Sequence, residues 1–345
     1  MKDTEGQKSS IQIFFIFNES HPWYKYSNVK QPLRCKANEW KIGMTEIRKN
    51  QLAAVFRDKP EMVNRLPEWM LSGPQIESYQ RMEDLAIVEI AGRDSVAAAV
   101  RAVAESAYGN LLPVYVYTGS EHGSWESVEE AVNRLTRRLP ETLIHPLLVI
   151  GSPGFWRALN GRYAAELIDV FGHYTPCTGC HLYLHAIRLP LSRTLGNVPI
   201  IAGERKSHGG SIKINQISEV LDFYVRFAAS FGIRLDLPLA EVTDDGIIET
   251  ILNIPWKRDK DQLGCVLSGN YKNVSGDCCI NATDVTLFFN RFAEPVANSV
   301  IHEYLENRLP DHDGIAARVM DQLVREKDAP ILSTPRKSGM ADRKR

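Results

Sequence analysis

The stretch LAIVEIAGRDSVAAAVRAVAESAYG, from Leu85 to Gly109, runs from an apolar strand through a short polar bend into a helix whose first turns carry almost no side chain. The bend is Ala91-Gly92-Arg93-Asp94-Ser95, and residues 97–99 are all alanine. Side chains this small let a helix lie close on a sheet. A turn that leaves a strand's carboxyl end and enters a helix presents backbone N–H groups and a helix N-terminus, a seat for an anion such as phosphate. Gly92 allows close approach of the backbone and a positive φ. Ser95 offers its hydroxyl, and Asp94 is placed to help hold Mg2+ or to cap the helix. The bend matches neither GxxxxGK[ST] nor GxGxxG. An N-capped helix following a strand, with no ligand at all, accounts for the same residues.

Working outward, the pattern alternates from about residue 83. LAIVEI and its helix are followed by the strand LLPVYVYT and a helix over about 125–138, with Ser127 and Glu130 spaced as a capping box. The strand LIHPLLVI and a helical stretch around FWRALNGRYAAELIDVF come next. PCTGC opens another helix, NVPIIAGE reads as a strand, and ISEVLDFYVRFAASF reads as a long helix before the strand IRLDLPLA. Strands apolar throughout, alternating with helices, predict a doubly wound, mostly parallel sheet with helices on both faces. Right-handed crossovers then put every strand-to-helix turn along one edge, where ligands bind.

Four regions are expected: an N-terminal accessory region, 1–82; the alternating domain, 83–254; an irregular, then helical extension, 255–329; and a disordered basic tail, 330–345. Within the first, IQIFFIF reads as a strand, and Cys35 as a packing residue. The chain has 345 residues, with 41 lysines and arginines against 42 aspartates and glutamates, so no global field announces a nucleic-acid or membrane partner. No apolar run reaches the length of a bilayer span, and MKDTEGQKSS lacks the layout of a secretory signal. A cytoplasmic protein is expected. Its six cysteines then read as thiols or metal ligands rather than disulfides.

Ile90-Ala91-Gly92-Arg93-Asp94-Ser95 resembles the pyrophosphate loop S-G-G-x-D-S of the N-type ATP pyrophosphatases, an adenine nucleotide alpha hydrolase-like superfamily. The second Gly, the Asp and the Ser fit; Ile90 and Ala91 replace the leading Ser and first Gly. Three further features follow in that family's order. The second strand ends in Tyr117-Thr118-Gly119-Ser120, where adenosine contacts lie in the family. A CxxC opens a later helix at Cys177 and Cys180. A Gly-bounded turn, Gly203-Glu204-Arg205-Lys206-Ser207-His208, follows the next strand. The resemblance covers about residues 83–265 and is greatest to iron–sulfur enzymes that thiolate transfer RNA. It implies ATP and Mg2+ at residues 91–95, with Thr118, Gly119, Gly203, Arg205 and Lys206 as further nucleotide contacts. It also implies adenylation of a carbonyl oxygen, so that sulfur from a donor can displace AMP. The acceptor is a tRNA base or a related small molecule.

Cys177 and Cys180 sit at an expected helix N-terminus, where a thiol pKa falls. Sulfur-inserting members of the family hold a [4Fe-4S] cluster on one CxxC and a later Cys, and Cys177, Cys180 and Cys265 match that order, leaving one iron open. Zn2+ on Cys177, Cys180 and two of Cys265, Cys278 and Cys279 is a second reading, with His173, His181 and His185 as further donors. A redox disulfide and inert thiols complete the set. Lys213, Asn215, Gln216, Arg188 and Arg193 are additional candidates for phosphate or substrate contact. A nitrogen-transfer ligase with structural zinc and a non-catalytic ATP-binding regulator are the competing functions.

Overall fold

A computed structural model describes residues 71–328 except 107, 207–212, 255 and 257–260. The expected N-terminal strand IQIFFIF, Cys35, the turn residues Ser207 and His208, and the basic tail lie outside the described residues.

A short helix α1 (Gly73–Gln80) leads into β1 (Leu85–Glu89), α2 (Arg93–Ser106) and β2 (Asn110–Val116). After β3 (Glu121–His122) and α3 (Glu126–Arg138), the next strand is split into β4 (Leu143–Ile144) and β5 (Leu148–Ile150). Both halves pair with β2 in parallel. Pro146 stands at the break, where a residue without an N–H cannot serve a ladder. Four helices follow: α4 (Pro153–Asn160), α5 (Ala164–Phe171), α6 (Pro176–Ala186) and α7 (Leu189–Thr194). The stretch read as one helix around FWRALNGRYAAELIDVF is thus two, parted at Gly161, whose N–H turns back to the Arg157 carbonyl. Then come β6 (Ile200–Ile201), α8 (Ser218–Ser230), β7 (Leu235–Asp236), α9 (Asp245–Leu252) and β8 (Gly264–Cys265). Helices α10 (Ala282–Phe288), α11 (Glu294–Leu305) and α12 (His312–Asp328) end the described chain.

The strand order is β4/β5–β2–β1–β6–β7, and every pairing in this sheet is parallel. Strand β1 is central and buried throughout. Leu85 and Ile87 join one apolar cluster while Ala86 and Val88 join the other, so both faces of the sheet are covered. One face carries α2, α3 and α9; the other carries α4, α6 and α8, with α10–α12 packed onto the same core. Each Val, Leu or Ile buried in this way stabilises the fold by about 1.5–3 kcal/mol. Ala97, Ala98 and Ala99 are all fully buried, and their size lets α2 lie against the sheet. The capping box expected at Ser127 is absent. The N-cap of α3 is Trp125, two residues earlier, and the Ser127 hydroxyl donates to the Ser124 carbonyl at 2.8 Å.

From β1 the chain winds outward through β2 to β4 and β5, then returns across β1 to β6. The crevice between the carboxyl ends of β1 and β6 is therefore the topological switch point, where ligands bind in open α/β sheets. The two turns that meet there are Ala91–Ser95 and Ala202–Lys206. Among the described residues, no helix is long and apolar enough to cross a membrane.

Candidate functional site

At the switch point, Ser95 closes the bend. Its Oγ accepts from the Ala91 and Gly92 amides at 3.0 and 3.1 Å and donates to the Gly92 carbonyl at 2.8 Å. The next amide, Arg93 N–H, points at Oε1 of Gln262 at 3.3 Å. Three successive backbone donors thus face side-chain oxygens, as they would face an oxyanion. Gln262 also lies over Gly92, where a Cβ would stand 2.6 Å from its Oε1. Close approach is why the position is glycine; the expected positive φ is not found there. Ala91 is exposed at the rim.

Behind the bend, two guanidinium groups and two carboxylates interlock. Arg93 Nε lies 3.1 Å from Asp94 Oδ1, and its second arm reaches Asp245 at 3.1 Å. Arg205 contacts Asp94 Oδ2 at 3.0 Å and also pairs with Asp245. The Arg205 side chain is wholly buried, so it braces the loop against the first turn of α9 rather than reaching outward to a phosphate. Both oxygens of Asp94 are engaged by arginine, which leaves the carboxylate neutralised rather than open toward a cation. Lys206 sits at the surface and pairs with Glu241.

The second strand's exit is shaped by Glu121, whose Oε1 accepts from the Thr118 amide at 2.7 Å and from the Thr118 hydroxyl at 3.0 Å. Gly119 takes φ +82° in that turn. A two-stranded antiparallel ribbon then pairs Glu121 with Cys265 and His122 with Gly264. The Cys265 sulfur lies 3.3 Å from Ser120 Oγ.

Helix α6 places the CxxC at this same edge. Thr175 caps its start, and Tyr183 ties it to the sheet: the Tyr183 hydroxyl receives the Ser152 amide at 2.7 Å and donates to the Tyr117 carbonyl at 3.2 Å. Cys177 Sγ lies 3.6 Å from the Leu267 carbonyl, while the Leu267 amide donates to Cys265 Sγ at 3.4 Å, so one turn gathers both sulfurs. Cys180 accepts from Trp156 Nε1 at 3.2 Å. Burial, followed by the charge of Cys265, pushes the Cys177 thiol up. Burial pushes Cys180 up much further. The expected lowering at the helix N-terminus is outweighed, because desolvating a thiolate costs more than a helix end returns. Cys278 and Cys279 are exposed on a neighbouring loop.

The three sulfurs predicted as a set share one neighbourhood, and thiolates suit an iron–sulfur cluster. Among the described residues, however, no three Cys, His, Asp or Glu side chains stand together as a metal-holding group. The donors are chemically apt and their present arrangement is not a ligand set. The histidines offered for zinc are engaged elsewhere. His173 Nδ1 meets the Phe171 carbonyl at 3.1 Å, and His181 Nδ1 and His185 Nε2 converge on Glu204 Oε1 at 2.7 and 3.4 Å.

That buried Glu204 cluster is what sequence reasoning missed. Burial alone would raise its pKa, but His181 and His185 outweigh burial and carry the carboxyl well below the usual range. Gln216 donates to its other oxygen. The available signal was the four-residue spacing of His181 and His185 on an apolar helix, which puts the half-buried His181 and the buried His185 on the same face. Arg188, read as a candidate for phosphate, is buried against Glu89 at 3.0 Å, and Arg193 bonds Asn197 at 3.0 Å. Lys213 is exposed and Asn215 buried.

No family model matches the chain. An uncharacterized protein of Methanocaldococcus jannaschii is 34% identical over 234 residues, spanning 66% of this chain and 83% of that protein. The α/β chain described above belongs to the same family as that archaeal protein.

Proposed function

We propose that this protein is an ATP-dependent enzyme of the N-type ATP pyrophosphatase kind, which adenylates a carbonyl oxygen and then transfers sulfur to the activated carbon. The observation that carries the reading is a juxtaposition. A bend at the switch point whose amides point at side-chain oxygens, and three thiols from two distant parts of the chain, lie along one sheet edge, linked by residues 261–265.

In this reading the Ala91–Ser95 bend binds phosphates, with Mg2+ supplied alongside ATP. Thr118 and Gly119 border the adenosine. The acceptor's carbonyl oxygen attacks the α-phosphorus, pyrophosphate leaves, and AMP becomes the leaving group that a bare carbonyl oxygen is not. A sulfur donor places sulfane sulfur on one of Cys177, Cys180 and Cys265 as a persulfide, whose terminal sulfur attacks the activated carbon and expels AMP. A second thiol of the trio then breaks the S–S bond, releasing the thiolated product and leaving a disulfide that an external thiol reduces. Arg93 and Arg205 hold the bend in shape. The acceptor is a tRNA base or a small molecule with an equivalent carbonyl. A [4Fe-4S] cluster on the three thiols would supply a sulfide site, and no step above depends on it.

Pyrophosphate release from ATP and Mg2+ in the presence of candidate acceptors tests the reading. Cys177→Ala should abolish thiolated product while ATP binding survives; equal product from the variant refutes it. A second reading, a nucleotide-binding regulator that does not split ATP, is favoured by Gln262 lying across the bend. ATP binding without pyrophosphate release under any acceptor would establish it.

A further inference from the structure

We propose that Gln262 is a positioning residue that couples occupation of the anion-facing bend to the placement of Cys265. The proposal rests on the ATP reading above and adds an order of events to it. Gln262 Oε1 occupies the seat that a phosphate oxygen takes, and its displacement releases the strap that carries Cys265.

The strap, residues 261–265, is tied at three points. Asp261 accepts from Arg134 at 3.0 Å, and Arg134 is itself held against the Trp256 ring, 4.4 Å from its centroid. Gln262 takes the Arg93 amide at 3.3 Å. Gly264 and Cys265 pair with His122 and Glu121, and the Val266 amide reaches the Ser120 carbonyl at 2.9 Å. The middle tie is the weak one. Its length is at the long end for N–H···O, and its acceptor is a neutral amide. A phosphate oxygen is charged, accepts at shorter distance, and makes a bond about twice as strong. Gln262 also fills the space above Gly92, so the carboxamide and a phosphate group cannot both occupy the bend.

Cys265 follows Gln262 by three residue steps, roughly 10 Å of extended chain. The ribbon between them and the body of the protein has only two residue pairs, too few to hold its place alone. A displacement at Gln262 therefore reaches Cys265, whose sulfur shares the Leu267 turn with Cys177. The consequence is sequence: nucleotide arrives first, and only then does the third thiol change its relation to the CxxC.

The experiment uses the full chain, with ATP and Mg2+ as the probe and AMP as the control lacking the outer phosphates. Calorimetry measures binding, and peptide mass spectrometry measures alkylation of Cys265 by iodoacetamide. Saturating ATP should change the Cys265 rate by about fivefold, the weight of one ordinary hydrogen bond, while Cys278 and Cys279 react unchanged. Gln262→Ala should bind ATP at least as tightly as the wild type and show a Cys265 rate indifferent to ATP. Gln262→Glu, which places a negative charge in the seat, should weaken ATP binding. Wild-type protein that binds ATP with an unaltered Cys265 rate overturns the coupling and leaves the ATP reading standing, as does an ATP response that persists in Gln262→Ala. Absence of ATP binding overturns both.

Discussion

Gly203 passes so close to Ser95 that a Cβ added to it would stand 2.5 Å from the Ser95 amide nitrogen and 2.6 Å from the Asp94 carbonyl carbon. The two turns of the switch point are in backbone contact. Nothing larger than hydrogen fits between the exit of β6 and the first turn of α2, and the atoms in the way are main chain, which cannot rotate aside. The bend at residues 91–95 is therefore shaped partly from outside, by a strand more than a hundred residues later.

Gly203→Ala should accordingly destabilise the protein by about 2 kcal/mol, the cost of overpacking a tight contact. It should also weaken binding at the bend, since the backbone that shifts is the one carrying the amide donors. Urea unfolding and ATP calorimetry check the two effects separately. Gly73→Ala is the control, because a Cβ there meets nothing within 4 Å. Equal stability of the two variants would mean that the contact at Ser95 relaxes without cost.

Asp245 links the same bend to α9. Burial pushes its carboxyl up, and Arg205 and Arg93 outweigh this, leaving the pKa below its ordinary 3.8. A depressed folded pKa gives stability that is present above the unfolded value and lost as pH falls through the folded one. Asp245→Asn strips the buried Arg205 of one of its two carboxylates and should cost about 3 kcal/mol at pH 7. The gap between variant and wild type should begin to close as pH falls below 3.8 and go on closing as pH passes the lower folded value. A gap that stays constant over that range would show that the carboxylate's charge is not what holds Arg205.

His312 sets a second pH limit, in the opposite chemical sense. Burial lowers its pKa from 6.5 to about 4, with Arg157 adding to the effect and Asp313 and Asp311 opposing it. Its Nε2 lies 3.0 Å from the Tyr304 hydroxyl, which joins α11 to α12. The folded state thus holds a neutral ring that the unfolded chain protonates. Stability is full above 6.5 and falls between 6.5 and 4, at a limiting slope of about 1.4 kcal/mol per pH unit. In His312→Gln, which keeps a hydrogen-bonding group and does not titrate, that part of the slope should vanish. An unchanged slope in the variant would place the pH sensitivity elsewhere.

The sheet was legible because β1, β2 and the helices after them are long and carry one signal each: continuous apolar residues, then helical spacing. The bend at 91–95 was legible for the same reason, since it lies between two clear elements. What escaped was set by partners distant in sequence. Nothing local to Arg205 says that Asp94 and Asp245 will surround it, so it read as a cation available to phosphate. Glu204 read as part of a polar turn, and only the packing of α6 on β6 puts two histidines against it. Gln262 gave no signal, being one amide in an irregular stretch. The thiol pKa was misjudged because a helix N-terminus is visible in PCTGC and burial is not.

Those thiols provide the last prediction. Alkylation requires both thiolate and access. In chelator-treated protein at pH 8, Cys265 is exposed, Cys177 is half-buried with a raised pKa, and Cys180 is raised further and capped by Trp156. Iodoacetamide should therefore modify Cys265 first, Cys177 next and Cys180 last, with the order erased in urea. Equal native rates would contradict this packing. Protein purified anaerobically and loaded with iron and sulfide adds a second readout. If the trio holds a cluster, Cys177, Cys180 and Cys265 become unreactive together, while Cys278 and Cys279 keep their rates. Joint protection of all five would point to a different ligand set, and protection of none would leave the three sulfurs as thiols that carry sulfur one at a time.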